Sequence, residues 1–301
     1  MDVTVAICTW NRAALLDQTL AQLGALRVPE GLGWEILVVD NGSSDDTGAV
    51  LERHALRLPL RSLREERRGL SHARNRAAAE ARGALIAWTD DDVRVEAEWL
   101  AAYATAAREL PSSDFFGGPI LPWFEHTPPD WVASSLSVIG SAFALCDLGP
   151  SRRPLTAIHL PYGANFAVRT AVQRDHLFDP ALGRIGDELL SGDENEALRR
   201  MLARGHTGTW LPEARVHHLV PRERMTLDYV RRYYRGIGRT DVRVRGAGGP
   251  RWWNALRSGT KACLKAARCN ALRRIGGSHA WVRDLRDSSI HWGRFEAFRA
   301  P

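Results

Sequence analysis

The 301-residue sequence is poor in cysteine, with four, and in methionine, with three. Cys8, Cys146, Cys263 and Cys269 never fall at C-x-x-C spacing. That excludes a zinc ribbon, a dithiol redox motif and a disulfide framework, and leaves reduced thiols as the expectation. No window approaches eighteen uninterrupted apolar residues, and "MDVTVAICTWNR" has no basic stretch ahead of an apolar one. Neither a spanning helix nor a secretory signal is expected, and the cytoplasm is the expected compartment. There is no G-x-x-x-x-G-K-[ST], and the first β-α turn, "CTWNRAALL", has no G-x-G-x-x-G. This excludes a P-loop nucleotidase and a dinucleotide-binding Rossmann protein. "DDDVRVEAEW" lacks the turn glycine of an EF-hand loop, and no internal repeat is visible.

What is present is an ordinary globular composition, 45% hydrophobic and 25% charged, with an uneven distribution of charge. Residues 219–301 hold 19 Lys and Arg against 6 Asp and Glu, a net of +13. Residues 1–218 hold 22 against 29, a net of −7, so the overall +6 conceals an acidic body and a basic tail. An acidic body suits a metal site, and a basic tail suits something anionic.

Along the chain, "VTVAICTW" and "WEILVVDN" are β-branched apolar runs closed by polar residues, and "RAALLDQTLAQLGAL" between them has helical spacing. A capped helix from Ser44, a short strand near Leu60–Glu66, the Ala-rich helix "SHARNRAAAEAR" and the strand "GALIAWTD" follow. The pattern predicts an α/β fold with a mostly parallel, doubly wound sheet flanked by helices, and a ligand crevice at the carboxyl ends of its strands. Thr9–Arg12, Asp40–Ser44 and Asp90–Asp92 all sit at such ends. After Gly117 the alternation weakens. The predicted organisation is a domain over 1–225, divided into 1–120 and 121–225, and a basic, mainly helical region over 226–301. The "RGAGGP" break near Gly246–Pro250 is the candidate hinge.

Three strand ends meeting in one crevice offer a carboxylate and amide (Asp40, Asn41), a flat indole (Trp10), cations (Arg12, Arg74) and three hard oxygen ligands (Asp90, Asp91, Asp92). Adjacent carboxylates repel by several kcal/mol at ~4 Å and an effective dielectric of about 20, so the triplet calls for a counter-charge. A nucleoside diphosphate carried by Mg²⁺ or Mn²⁺ fits that set, with metal and arginine holding phosphates in place of a glycine cradle.

The ordered segments "VAICTWNR", "ILVVDNGSSDDT", "GLSHARNRAAAEARGALIAWTDDDV", "YGANFAVR", "LLSGDENEALRRMLARGH" and "PEARVHH" resemble the family 2 glycosyltransferases of GT-A fold over roughly residues 3–220. The resemblance implies inverting, metal-dependent transfer of a sugar from a nucleoside diphosphate sugar, expected to be a UDP-sugar, to a hydroxyl acceptor. It implies nucleotide-sugar contacts at Thr9, Trp10, Arg12, Asp40, Asn41, Arg74, Asp90, Asp91 and Asn165, with Asn165 lining the donor-sugar and acceptor pocket. Mn²⁺ or Mg²⁺ would be held by Asp92, Asp90 and His218, the last matching "A-x-V-x-H". One departure concerns the general base. The family reads Gly-Glu-Asp at the acceptor-side helix where this chain has Gly192-Asp193-Glu194. Glu194 is the base by position, and Asp193 is the alternative.

Each feature also has a plainer reading. The triplet is compatible with a solvated strand end, Asp40–Gly42 with a turn, Trp10 with core packing, Arg74 with a surface cation, and Asp193, Glu194 and Glu196 with helix-dipole stabilisation. His217 and His218, if extended, face opposite ways. Two other functions compete: a nucleotidyltransferase, which would need a glycine-rich loop after the first strand, and a non-catalytic sugar-nucleotide-binding protein. The tail, with Trp252, Trp253, Trp281 and Trp292, suits core packing or peripheral contact with an anionic membrane, at its inner face for a cytoplasmic protein. It has no nucleic-acid motif, and no such partner is expected.

Overall fold

The computed structural model describes residues 1–182, 192–246, 248–276 and 279–300. Asp187–Glu188, which sequence alone reads as loop solvation, and the opening of "LLSGDENEALRRMLARGH" lie outside the described residues. The chain begins with β1 (Val3–Thr9), α1 (Ala13–Leu23), β2 (Trp34–Asp40), α2 (Thr47–Ala55), β3 (Leu60–Arg64), α3 (Leu70–Glu80) and β4 (Leu85–Thr89). It continues through β5 (Val93–Val95), α4 (Trp99–Glu109), β6 (Phe115–Gly117), β7 (Ile120–Phe124), the one-turn helices α5 (Asp130–Ala133) and α6 (Leu136–Ile139), β8 (Arg153–Pro154), β9 (Asn165–Arg169) and α7 (Thr170–Asp175). α8 (Asp193–Ala203), β10 (Gly208–Trp210), β11 (Val216–Val220) and the long helices α9 (Leu227–Arg245), α10 (Arg251–Ile275) and α11 (Trp281–Arg299) complete it.

The main sheet has the order β3-β2-β1-β4-β9-β6-β10-β8. β1 pairs parallel with β2 and β4, and β2 with β3, as the alternating β-α pattern predicts. β1 and β2 are buried on both faces, which is why they read as continuous apolar runs. β9 departs from the parallel rule: it enters antiparallel between β4 and β6, opposing Thr89 with Asn165. Its pairing satisfies the backbone edges of two strands that the first half of the sequence leaves open. Gly83 precedes β4 because a β-carbon there would strike the backbone of Val3 and Thr4.

The structure comprises two compact units. The first holds residues 1–122, 146–182 and 192–219, and the second holds 123–145 and the chain from 220 onward. The segment 121–225, expected to form one half of a domain, is thus divided between them. The reason is apolar: Val132, Ile139 and Phe143 are fully buried in one cluster with Val230, Tyr234, Val282 and Leu285 of α9 and α11. Gly238 and Gly293 let α9 and α11 cross closely, since a methyl on either would collide with the carbonyl of Ile290 or Arg235. Thr226 caps α9, its hydroxyl accepting from the Tyr229 N–H at 3.2 Å. The Gly246–Pro250 break lies inside this unit and joins α9 to α10 rather than separating a body from an appendage. No helix among the described residues is long and apolar enough to cross a membrane.

Candidate active site

The aspartate triplet leaves the carboxyl end of β4 and turns into β5, which pairs antiparallel with β11 in the register His218↔Val93. That register, with the Leu219 N–H donating to the Asp92 carbonyl at 3.0 Å, brings His218 against Asp92 across more than a hundred residues of chain. His218 Nε2 lies 3.3 Å from Asp92 Oδ1. Its Nδ1 donates to the Leu219 carbonyl at 2.9 Å, which fixes the ring so that Nε2 faces the carboxylates. Ligand atoms of Asp90, Asp92 and His218 lie within 4.8 Å of one another. Two hard oxygens and an imidazole nitrogen fit Mn²⁺ or Mg²⁺ with solvent or phosphate completing the shell. His217 points away, as strand alternation requires, and meets Glu96 at 3.2 Å.

Asp91 does something different from the expected nucleotide contact. It is buried, accepts from Thr9 Oγ1 at 2.7 Å and pairs with Arg12 Nη1 at 2.6 Å. Arg12 also reaches Asp92 Oδ2 at 3.1 Å. Thr9 and Arg12, themselves expected on the nucleotide, therefore hold the triplet from behind, and Arg12 is one of the counter-charges it needs. Burial, only partly offset by Arg12, pushes the Asp91 carboxyl up to about 6. Burial works against the Arg12 cation, but the Asp91 and Asp92 charges outweigh it and raise its pKa further.

The second counter-charge is Arg74, on α3. It is 4% exposed and pairs with Asp193 Oδ2 at 2.7 Å, with Glu194 Oε2 at 3.5 Å and more loosely with Asp90 Oδ1 at 3.9 Å. Its guanidinium carbon lies 5.4 Å from the centre of the Phe178 ring. The guanidinium thus joins the triplet to the start of α8, and the two acids there become inequivalent. Burial tends to raise Asp193, but the Arg74 cation outweighs it and holds that carboxyl below its usual range. Glu194 is raised to about 7, first by burial and then by the negative charge of Asp193 beside it.

Around this centre, Asn41 ties down the loop leading to α3: its amide donates to the Glu65 and Arg67 carbonyls at 3.0 and 2.7 Å, and its oxygen accepts from the Gly69 N–H at 2.8 Å. Gly69 has φ 127, which favours glycine, and its position starts the helix that carries Arg74. Asp40 accepts from the Ser43 N–H at 2.8 Å and from Arg64 at 3.1 Å. Trp10 is half-buried, has the Arg68 guanidinium 4.9 Å over its ring, and has a buried Nε1–H with no hydrogen-bond partner among the described residues.

Asn165 does not line a pocket. It is 0% exposed; its oxygen accepts from Trp99 Nε1 and the Tyr103 hydroxyl, both at 2.8 Å, and its amide donates to the Pro119 and Ala214 carbonyls at 2.9 and 2.7 Å. All four hydrogen bonds of the side chain are used within the protein, so Asn165 clamps β9 against its surroundings. The residue of "YGAN" that serves the site directly is Gly163, absent from the sequence-based set. A methyl there would collide with Arg74 Nη2. A glycine in the short turn just ahead of the strand run "NFAVR" is the signal that could have found it.

Residues 4–149 match the family model described as Glycosyl transferase family 2. Over 276 residues the chain is 26% identical to the succinoglycan biosynthesis protein ExoM of Rhizobium meliloti, covering 89% of this chain and 84% of that one. It is 23% identical over 256 residues to a glucosyl-dolichyl phosphate glucuronosyltransferase of Haloferax volcanii, covering 79% and 76%. The fold is that of a mannosyltransferase from Pyrobaculum calidifontis solved with GDP-Man and Mn²⁺, with a TM-score of 0.62 and 18% identity, covering 96% of this chain and 85% of that one. These neighbours place the architecture in the GT-A class.

Proposed function

The chain is a glycosyltransferase with a family 2 domain, and from that premise we propose that it transfers a sugar from a nucleoside diphosphate sugar to an acceptor hydroxyl with inversion, using a divalent ion. The observation that carries this reading is Arg74. It pairs with Asp193 and Glu194 and, more loosely, with Asp90 of the Asp90–Asp92–His218 cluster, which supports placing the proposed diphosphate site and the proposed base on either side of one side chain.

Glu194 is the proposed general base. It is the less tightly paired of the two acids, and with its carboxyl at about 7 it is poised to accept a proton near neutrality. Asp193, committed to Arg74 at 2.7 Å, positions that side chain and is the weaker candidate. In the reaction Glu194 takes the acceptor hydroxyl's proton while that oxygen bonds to the anomeric carbon. The bond from that carbon to the diphosphate oxygen breaks, and the nucleoside diphosphate leaves with the electron pair. A divalent ion held by Asp90, Asp92 and His218 would supply positive charge to the departing diphosphate. Arg12 and Thr9 keep Asp91 and Asp92 oriented for that task, which is their proposed role in donor binding. Asp40 is the proposed acceptor for a base N–H or ribose hydroxyl, with Trp10 beside it; a UDP-sugar is the proposed donor. Residues 1–120 supply the proposed donor half, and the 226–301 region the proposed contact with an anionic membrane.

Purified protein assayed against UDP-, GDP- and dTDP-sugars, with Mn²⁺, with Mg²⁺ and with EDTA, tests the reading. Turnover that survives EDTA, or is undiminished in Asp92→Ala, would remove the metal from it.

A further inference from the structure

The second unit holds a feature that sugar transfer does not use. α10 has 25 residues, seven of them Arg or Lys and none acidic. One face is sealed: Ala255, Ser258, Ala262 and Cys269 are buried, and Ser288 of α11 donates to the Ala262 carbonyl at 2.9 Å. The opposite face should be polar in a helix that ends at solvent. Instead Trp253, Leu256, Leu264 and Ile275 recur on it at helical spacing and are 47%, 55%, 66% and 79% exposed, with Thr260, Ala267 and Ala271 between them. Trp252, 69% exposed, stands at the edge of this stripe, its ring centre 5.7 Å from that of Trp253. From Trp253 to Ile275 the stripe runs about 33 Å.

The cations divide in two. Lys265 and Arg268 pair with Asp284, Arg273 lies over the Trp281 ring, and Arg251 donates to carbonyls at the end of α11, so these four serve the fold. Arg257, Lys261 and Arg274 are exposed and make no ion pair among the described residues. They flank the apolar stripe on both sides.

Resting on the membrane contact proposed above for the 226–301 region, we propose that the outward face of α10 is what docks on an anionic lipid surface, with Trp252, Trp253, Leu256, Leu264 and Ile275 entering the headgroup boundary and Arg257, Lys261 and Arg274 meeting lipid phosphates. An apolar ridge rimmed by unpaired cations is what such an interface stabilises. A second copy of the chain is a poor occupant, because a two-fold contact would set these cations against themselves. A nucleic acid would satisfy the cations but leave the leucines and isoleucine in contact with water or phosphate.

The test is co-sedimentation of the full chain with vesicles of phosphatidylcholine alone and of phosphatidylcholine mixed with phosphatidylglycerol. Binding is expected on the mixed vesicles, falling with salt. At roughly fivefold for each cation, R257Q/K261Q/R274Q should weaken it about 100-fold. W253S/L256S/L264S should weaken it at least as much, and circular dichroism melting of both variants, whose changed side chains are exposed, should match the wild type. Equal binding to both vesicle types, no binding to either, or wild-type binding by the serine variant would overturn the proposal. So would tighter binding to single-stranded RNA than to the mixed vesicles, or a concentration-dependent dimer that the serine variant abolishes.

Discussion

Glu194→Gln removes one ionisable group from a site where its charge is costly, and the consequence can be worked from the structure. An unfolded chain releases the Glu194 proton near the ordinary 4.5, whereas the native protein holds it until about 7 because of burial and the neighbouring Asp193 charge. Between those values the native state carries the extra proton, so stability falls as pH rises. At about 1.36 kcal/mol per pH unit, the loss across the window is roughly 3 kcal/mol. Asp193 has the opposite sign: held low by Arg74, it stabilises at higher pH and loses that contribution only on acidification below its ordinary range. Asp91, raised to about 6, adds a fall of the same sign as Glu194, but it is present in both proteins and cancels in the difference. The assay is urea denaturation of wild type and Glu194→Gln at a series of pH values. The free-energy difference, wild type minus variant, should drop by roughly 3 kcal/mol from pH 4.5 to about 7 and stay level above. Turnover should behave in the complementary way, since a base must be ionised: the wild-type rate should rise with pH through about 7, and the variant should lose about 10²–10⁴-fold while keeping donor affinity. Parallel stability profiles for the two proteins would refute the proposed origin of the raised carboxyl.

Asn165→Ala leaves the Trp99 and Tyr103 donors and two carbonyls without partners in the core, so it should lower stability by about 3 kcal/mol or more in denaturant titration, with donor affinity in the surviving fold unchanged; a loss of affinity at full stability would return Asn165 to the donor pocket. Gly163→Ala should push the Arg74 guanidinium off Asp193 and cut turnover at least tenfold, read as kcat with KM for the donor little changed. His218→Ala should weaken Mn²⁺ binding at least tenfold by calorimetry, and His217→Ala, whose ring meets Glu96, should not. Arg12→Met strips the buried Asp91 of its cation and should cost about 3–5 kcal/mol, a loss relieved as pH falls and Asp91 takes up a proton.

Much of the fold is legible in local pattern, because β1, β2 and β4 are apolar runs buried on both faces and α1 and α3 repeat at helical spacing between them. The placement of the triplet at the end of β4, and of Asp40 and Asn41 at the end of β2, follows from the same pattern. So does the separation of His217 from His218, which is a consequence of strand alternation alone. What the pattern does not contain is where a side chain spends its hydrogen bonds. Asp91 and Asn165 sit in the motif beside residues that face the site, yet both are buried and hydrogen-bonded to partners tens of residues away. The inequivalence of Asp193 and Glu194 is likewise invisible in "GDEN", since it arises from Arg74, over a hundred residues earlier. Composition makes the basic tail plain, but only packing divides its tryptophans, with Trp281 buried in the helical core and Trp252 and Trp253 left on the outside of α10.

The sequence by itself determined which elements form and which residues stand at the strand ends, because helical and strand periodicities are local and hydrophobic burial enforces them. Only the tertiary structure decided the counter-charges of "TDDD". Charge compensation in a buried site depends on distances across the fold, and there Arg12 and Arg74 come within reach of the three aspartates, with His218 closing the set a metal would need.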